Sequence, residues 1–374
     1  MRPTTDFHIA VFPGDGIGLE ITDPCLDLLD AVCRRVGRFA LRFTVLPAGA
    51  ASYRDSGHEM PAESLVTARG ADAILLAAMG LPDVRHPDGT EITPQIALRL
   101  ELGLYAGVRP VRSIPGIPSP LAAAADRPID FVLVRESTEG LFASLGKGVV
   151  EADAEARETL VITRDVCERL FDFSLTLGRA RKRQGHPGRV TCVDKANVFA
   201  AFAFFRKIFD ERAARFPDLA ADHAYVDATA LKLVRDPWSF DVLVTENMFG
   251  DILSDLGAAL VGGLGVAPSA DIGDRHAVFQ PCHGTAPDIA GKGIANPTAM
   301  ILSAAMMLDW LGNRNGVDGC RRAAAVLVRA VDAAFADGAL RTREHDGTAG
   351  TLDVYGAVSA QLDAAWASVA AGTV

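Results

Sequence analysis

The stretch 245–265, TENMFGDILSDLGAALVGGLG, sets Asp251 and Asp255 four residues apart in a segment that reads as helix. That spacing places two carboxylates on one helix face, a turn apart. Gly250 ahead of the pair and Gly262-Gly263 behind it read as helix-end signals. Ile252, Leu253, Leu256, Ala258 and Leu260 make the rest of the segment apolar and predict that it is largely buried. Buried carboxylates need partners, and a hard cation with oxygen ligands is one. A helix cap for one aspartate and an arginine for the other is the alternative.

Four arginines stand near element ends. Arg99 lies on a short helix expected over 92–102, Arg109 and Arg112 flank Pro110, and Arg135 ends the apolar strand 129–134. Such arginines are solvated, paired structurally, or gathered into a carboxylate clamp, because guanidinium matches carboxylate in bidentate geometry. Lys195 and Asn197, in VDKAN, follow a strand over 189–193. A lysine at a buried strand end is a proton carrier if burial lowers its pKa, and a surface lysine otherwise. Asp227 takes the same strand-end position after 224–226. The loop QPCHGTAPDIAGKGIANP, from Gln280, holds His283, Gly284, Asp288, Ile289 and Asn296 and is too rich in Gly and Pro to form a regular element. Its amides could cradle phosphates and its acidic side chain could accept from ribose hydroxyls, or it is a plain surface loop.

Strands over 7–12, 43–46 and 73–77 alternate with helical stretches over 20–36 and from 61, which predicts an α/β fold with a substantially parallel sheet. PGDGIG at 13–18 is glycine-rich but is not GxGxxG, so a Rossmann phosphate turn is not supported. It is either a tight strand-to-helix turn or a cofactor contact. RESTEGLFASLGKG at 135–148 reads as loop, 158–162 as a strand, and Thr163 as the cap of a helix over 164–183. A strand over 241–245 feeds the aspartate helix. Helices are expected over 298–310, 319–335 and 350–367.

The 374 residues suffice for one large or two ordinary domains. A net charge of -10 argues against nucleic acid or an anionic membrane as partner. Six cysteines are scattered without a CxxC pair, as in reduced thiols of a cytoplasmic protein. Cys282 beside His283 has no second pair that would suggest zinc. No signal pattern and no membrane-length apolar run is present.

Taken together, PGDGIG, LYAGVRP, RESTEG, DKANV, NMFGDILSD and HGTAPDIAGKGIANPTA resemble, in order and spacing, the isocitrate/isopropylmalate dehydrogenase family of metal-dependent β-decarboxylating enzymes. Its members act on isopropylmalate, isocitrate, homoisocitrate, tartrate and D-malate. RPVRSIPGIPSPL is most similar to the tartrate and D-malate branch, and DKANV to the isopropylmalate and isocitrate branches. The resemblance implies a two-domain α/β fold, mixed sheets flanked by helices, distinct from the Rossmann dinucleotide fold. Residues 1–108 with 262–374 would form the large, cofactor-side domain. Residues 109–261 would form the small one, with a dimerisation arm near 143–165.

The resemblance also implies roles. Arg99, Arg109 and Arg135 would clamp the substrate carboxylates, with Thr93 and Gln95 facing its C3 substituent. Asp251 and Asp255, with Asp227 from a neighbouring copy in a homodimer, would hold Mg²⁺ or Mn²⁺. Lys195, also from the neighbour, would take the substrate hydroxyl proton as NAD accepts hydride. Asn197 would lie near the nicotinamide, His283 and Asn296 at adenine, and Asp288 at the ribose, with Gly284 and Ile289 in the same cofactor loop. An acid at 288 favours NAD over NADP, whose 2′-phosphate would meet a like charge.

Two departures matter. The residue after RESTEGL is usually the tyrosine that protonates the enolate left by decarboxylation, and here it is Phe142, which has no proton to donate. Lys195 or water would then do so, or oxidation would proceed without decarboxylation, or the chain would be a non-catalytic, substrate-binding subunit. Secondly, isopropylmalate enzymes place apolar residues where this chain has Thr93 and Gln95. An unpaired buried amide costs about 1–3 kcal/mol. The expected activity is therefore NAD- and Mg²⁺/Mn²⁺-dependent oxidation, with decarboxylation, of a D-malate-type 2-hydroxy diacid such as D-malate or tartrate. The alternative is 3-isopropylmalate.

Overall fold

A computed structural model describes residues 5–372. The chain begins with β1 (Thr5–Gly14), α1 (Gly18–Val36), β2 (Phe39–Val45), α2 (Ala50–Ser56), α3 (Ala62–Gly70), β3 (Ala73–Ala78) and α4 (Pro94–Leu102). It continues through β4 (Ala106–Arg112), β5 (Asp130–Glu136), a hairpin of β6 (Val149–Glu151) and β7 (Glu155–Arg157), α5 (Arg164–Arg183), β8 (Arg189–Asp194), α6 (Ala200–Ala213) and β9 (Ala220–Tyr225). Then follow α7 (Val226–Arg235), β10 (Val242–Thr245), α8 (Asn247–Leu260), β11 (Pro268–Ile272), β12 (Ala277–Pro281), α9 (Thr298–Asn315), α10 (Asp318–Phe335) and α11 (Thr351–Ala370).

Apart from the hairpin, the strands form one ten-stranded sheet in the order β2-β1-β3-β12-β11-β4-β5-β10-β8-β9. Pairing is parallel on both flanks and antiparallel in the middle, where β11 joins β12 and β4, and β4 joins β5. Strands from the two chain ends thus occupy one side and the middle of the chain the other, and both belong to one continuous mixed sheet. The parallel strands are apolar because helices cover both faces: all six residues of β3, AILLAA, are buried. On α1 the buried residues Ile21, Cys25, Leu28, Leu29 and Val32 recur at three- and four-residue steps, which aims one stripe at the sheet. α9 is buried through most of its length, in contact with β11, β12 and α10.

Several expectations are corrected. Gly250 is inside α8, and the helix is capped by Glu246, whose carboxylate accepts from the Phe249 amide at 2.7 Å. α8 is only half buried: Leu253, Ala258 and Leu260 face the core, whereas Asp251, Asp255 and Ile252 are exposed. Residues 158–162 are not a strand and make only an isolated bridge, Gly140 to Val161. The hairpin of β6 and β7 lies within 143–165. Asp227 sits in the first turn of α7 rather than at a strand end. Gln280 belongs to β12, not to the loop after it. The α5 cap holds, with the Thr163 hydroxyl accepting from the Val166 amide. All six cysteines are free.

Candidate active site

Two central strands and the helix before them carry the arginines. Arg99 projects from the last turn of α4, which Gly103 ends in a left-handed conformation. Arg109 lies on β4 and Arg135 near the end of β5. Arg99 Nε donates to Asp271 Oδ2 at 3.0 Å, and Arg109 Nη2 donates to Asp271 Oδ1 at 3.3 Å. Asp271, on β11, is completely buried and also accepts from Gln280 Nε2 at 3.0 Å and Ser137 Oγ at 3.3 Å. Burial alone would push its carboxyl up, but Arg99, Arg109 and Arg135 outweigh that and hold it below the usual carboxylate range. Removing one side of such a buried pair costs roughly 3–5 kcal/mol.

Arg135 faces α8. Its Nε and Nη2 donate to Asn247 Oδ1 at 2.9 and 2.7 Å, its Nη1 reaches Asp251, and its guanidinium lies 5.6 Å from the centre of the Phe142 ring. Burial depresses its pKa to about 10, with Arg99 and Arg109 adding repulsion against the pull of Asp251. Gly250 permits this approach, since a Cβ there would stand 2.6 Å from Arg135 Cβ. That is the reason for a glycine within the helix. Arg112, the fourth arginine, is not in the cluster; it pairs with Asp332 through two bonds of 2.8 and 3.0 Å.

Asp251 and Asp255 share one exposed face of α8, as their spacing predicts. Partial burial and the charge of Asp251 push the Asp255 carboxyl up, against Arg109 and Arg135. Two like charges held together beside open solvent suit a divalent cation with oxygen ligands. The described residues contain no group of three His, Cys, Asp or Glu able to hold a metal, so a cation on these two would need further ligands. Asp227 instead pairs with Lys195, Nζ to Oδ1 at 2.6 Å. Asn197 is exposed on the loop after Lys195.

The 283–296 loop is braced by groups that no local sequence signal marks. The Glu20 carboxylate, on the first turn of α1, accepts from the amides of Gly291 (3.0 Å), Gly293 (3.4 Å) and Ala295 (3.0 Å) and from the Thr351 hydroxyl (2.9 Å). The Ile17 amide donates to the Thr285 carbonyl at 2.8 Å. PGDGIG is therefore a strand-to-helix turn whose Asp15 caps the start of α2 and whose backbone anchors the loop. His283 Nδ1 lies 2.9 Å from the Gly284 carbonyl, so it carries the proton, while Nε2 is buried without a partner. Burial lowers the pKa of this histidine. An acceptor nitrogen held unpaired suits an aromatic amine of a nucleotide base. Asn296 is otherwise engaged: its oxygen accepts from the Thr298 amide at 3.0 Å, and its nitrogen donates to Glu344 at 2.7 Å. Asp288 and Gly284 are exposed and Ile289 partly buried. Gln95 Oε1 is buried without a partner, and Thr93 stands at the N-terminus of α4.

A buried arginine cluster, paired carboxylates on an adjoining helix and a braced glycine-rich loop have between them the chemistry to hold a small polyanion, a cation and a nucleotide, the set a metal-dependent dehydrogenase would require. The isocitrate/isopropylmalate dehydrogenase family model matches residues 8–358, and the chain belongs to that family. It is 43% identical over 317 residues to the 3-isopropylmalate/3-methylmalate dehydrogenase of Methanocaldococcus jannaschii, covering 84% of this chain and 89% of that one. It is 40% identical to the 3-isopropylmalate dehydrogenase of Lactococcus lactis, covering 94% and 97%. The fold is similar to a crystal structure of a β-decarboxylating dehydrogenase from Thermococcus kodakarensis, with a TM-score of 0.77, 37% identity and 96% of each chain covered.

Proposed function

We propose that the protein is an NAD- and Mg²⁺/Mn²⁺-dependent oxidative decarboxylase of a 3-alkylmalate, with 3-isopropylmalate the leading substrate. The single observation behind this is the gathering of Arg99, Arg109 and Arg135 next to the Asp251–Asp255 pair. The names of the relatives favour 3-isopropylmalate over the D-malate or tartrate expected from the sequence. One feature keeps a second reading: Gln95 Oε1, buried and unpaired, suits a smaller C3 substituent, or one with a donor.

When bound, a divalent cation supplies Lewis acidity to the substrate's hydroxyl and carboxylate oxygens, and NAD supplies the hydride acceptor. The chain's own groups do the rest. The three arginines fix the substrate carboxylates and thereby the hydroxyl-bearing carbon. Lys195 takes the hydroxyl proton. Phe142 has no proton for C3, so Lys195 or water must return one. His283 accepts from the adenine amine, and Asp288 meets the ribose.

In this reading a second copy of the chain brings Lys195 and Asp227 to the site. Val198 and Phe199 just ahead of α6, Leu231 and Val234 on α7, and Met248 and Ile252 on α8 are exposed apolar residues, a surface suited to burial in a homodimer. The proposed domains, 1–108 with 262–374 against 109–261, meet where β11 pairs with β4, beside the arginines. Six free cysteines fit a reducing, cytoplasmic compartment, and no helix among the described residues is long and apolar enough to cross a membrane.

The test is a panel of 3-isopropylmalate, 3-methylmalate, D-malate and tartrate with NAD and Mn²⁺, following NADH and CO₂ together. The expected result is coupled release of both from 3-isopropylmalate, abolished by EDTA and restored by Mn²⁺. NADH from D-malate or tartrate alone would favour the second reading. Thermal stabilisation by these acids with no NADH from any of them would overturn both and indicate a binding subunit.

A further inference from the structure

Asp271 is a full negative charge built into an arginine cluster that otherwise serves to hold anions. Its place is prepared by the sheet. Register sets Asp271 of β11 directly opposite Gly107 of β4. A Cβ at 107 would stand 3.0 Å from Asp271 Oδ1 and 2.5 Å from Ser137 Oγ, so the absence of a side chain there makes room for the carboxylate. Each carboxylate oxygen has a charged and a neutral donor: Arg99 and Gln280 on Oδ2, Arg109 and Ser137 on Oδ1. The group is completely buried, and little solvent screens it.

The charges can be counted. Arg99, Arg109 and Arg135 contribute three positive charges, and Asp271 removes one. With Asp251 and Asp255 assigned to a divalent cation, the clamp is left with two. A pocket of two positive charges matches a substrate with two carboxylates. A third carboxylate would enter a low-dielectric site that already holds Asp271, where like charges repel strongly.

We propose that Asp271 is a specificity-determining residue that acts through the clamp: it orients Arg99 and Arg109, and its charge matches the site to dicarboxylates while rejecting tricarboxylates. The inference rests on the cluster being the substrate pocket, as under the proposed function. It goes further by assigning the selection to a residue that need not touch the substrate.

The test uses binding of two unreactive probes to the full-length protein with Mg²⁺ present. Succinate and propane-1,2,3-tricarboxylate are titrated calorimetrically into wild type and Asp271→Asn. Asparagine keeps an acceptor oxygen and removes the charge. Wild type is expected to bind succinate more tightly, and Asp271→Asn to shift the affinity ratio toward the tricarboxylate by about tenfold or more. A merely structural role would weaken both probes together and leave the ratio unchanged, which would overturn the proposal. Wild type remains decisive even if the variant does not fold, because tighter binding of the tricarboxylate by wild type also overturns it. If wild type binds neither probe, the pocket assignment itself fails, and that outcome is distinct from an unchanged ratio.

Discussion

Lys195 and Asp227 form an ion pair at 2.6 Å, joining the residue after β8 to the first turn of α7. The pair keeps the proposed base and a proposed metal ligand on one outward-facing unit, next to exposed Val198 and Phe199. Lysine donation holds the Asp227 carboxyl below its ordinary range.

If that unit serves a second copy of the chain, two dead variants should complement each other. Lys195→Ala and Asp251→Asn are each expected to lose at least about a hundredfold in kcat. After denaturation and refolding together in equal amounts, mixed dimers hold one site with both defects and one with neither. Recovered activity is then roughly a quarter of wild type. NADH formation that stays at the level of the single variants, despite a mixed dimer seen by native mass spectrometry, would show that each site uses residues of one chain.

Phe142 stacks under the Arg135 guanidinium, 5.6 Å from the ring centre, so a tyrosine ring fits the same place and adds only the hydroxyl. Phe142→Tyr is expected to raise kcat by about tenfold or more while CO₂ and NADH continue to form one to one. An unchanged rate would mean that proton return to C3 does not limit this enzyme.

The His283 pKa is depressed below 6.5 by burial, despite the opposing pull of the Gly284 carbonyl and Glu344. A depressed pKa in the folded state favours the neutral ring, so its contribution to stability and to cofactor binding is present above 6.5 and lost as pH falls through the folded pKa. The KM for NAD should stay level from pH 8 to about 6.5 and climb below it. His283→Ala should raise KM throughout and flatten that profile. A wild-type KM insensitive to acid would remove His283 from the cofactor site.

Glu20 receives three loop amides and one hydroxyl on a single carboxylate. Hydrogen bonds to a charged acceptor contribute about 1.5–3 kcal/mol each where buried and less where solvent competes, so Glu20→Ala should raise KM for NAD by about tenfold with kcat within about twofold. Limited proteolysis should also cut faster between residues 283 and 296. A variant with wild-type KM and unchanged cleavage would show that the loop holds its shape without this brace.

Local pattern determined much of this protein. Alternating apolar strands and helices announced an α/β fold because burial of one helix stripe and of both faces of a parallel strand leaves a periodic trace. The four-residue spacing fixed Asp251 and Asp255 on one face, and distinctive segments carried the family. What the tertiary structure decided lies in contacts between distant residues. Asp271 carries no signal in the sequence, and only sheet register sets it against Gly107 and within reach of Arg99 and Arg109. Glu20 reads as a first-turn helix acid until the chain returns some 270 residues later to its carboxylate. Gly250 looks like a helix end, and only the closeness of Arg135 shows why it stands inside the helix. Periodicity reports which side of an element is buried; it holds no information about which charge from elsewhere in the chain will be buried beside it, and that pairing sets the chemistry of the site.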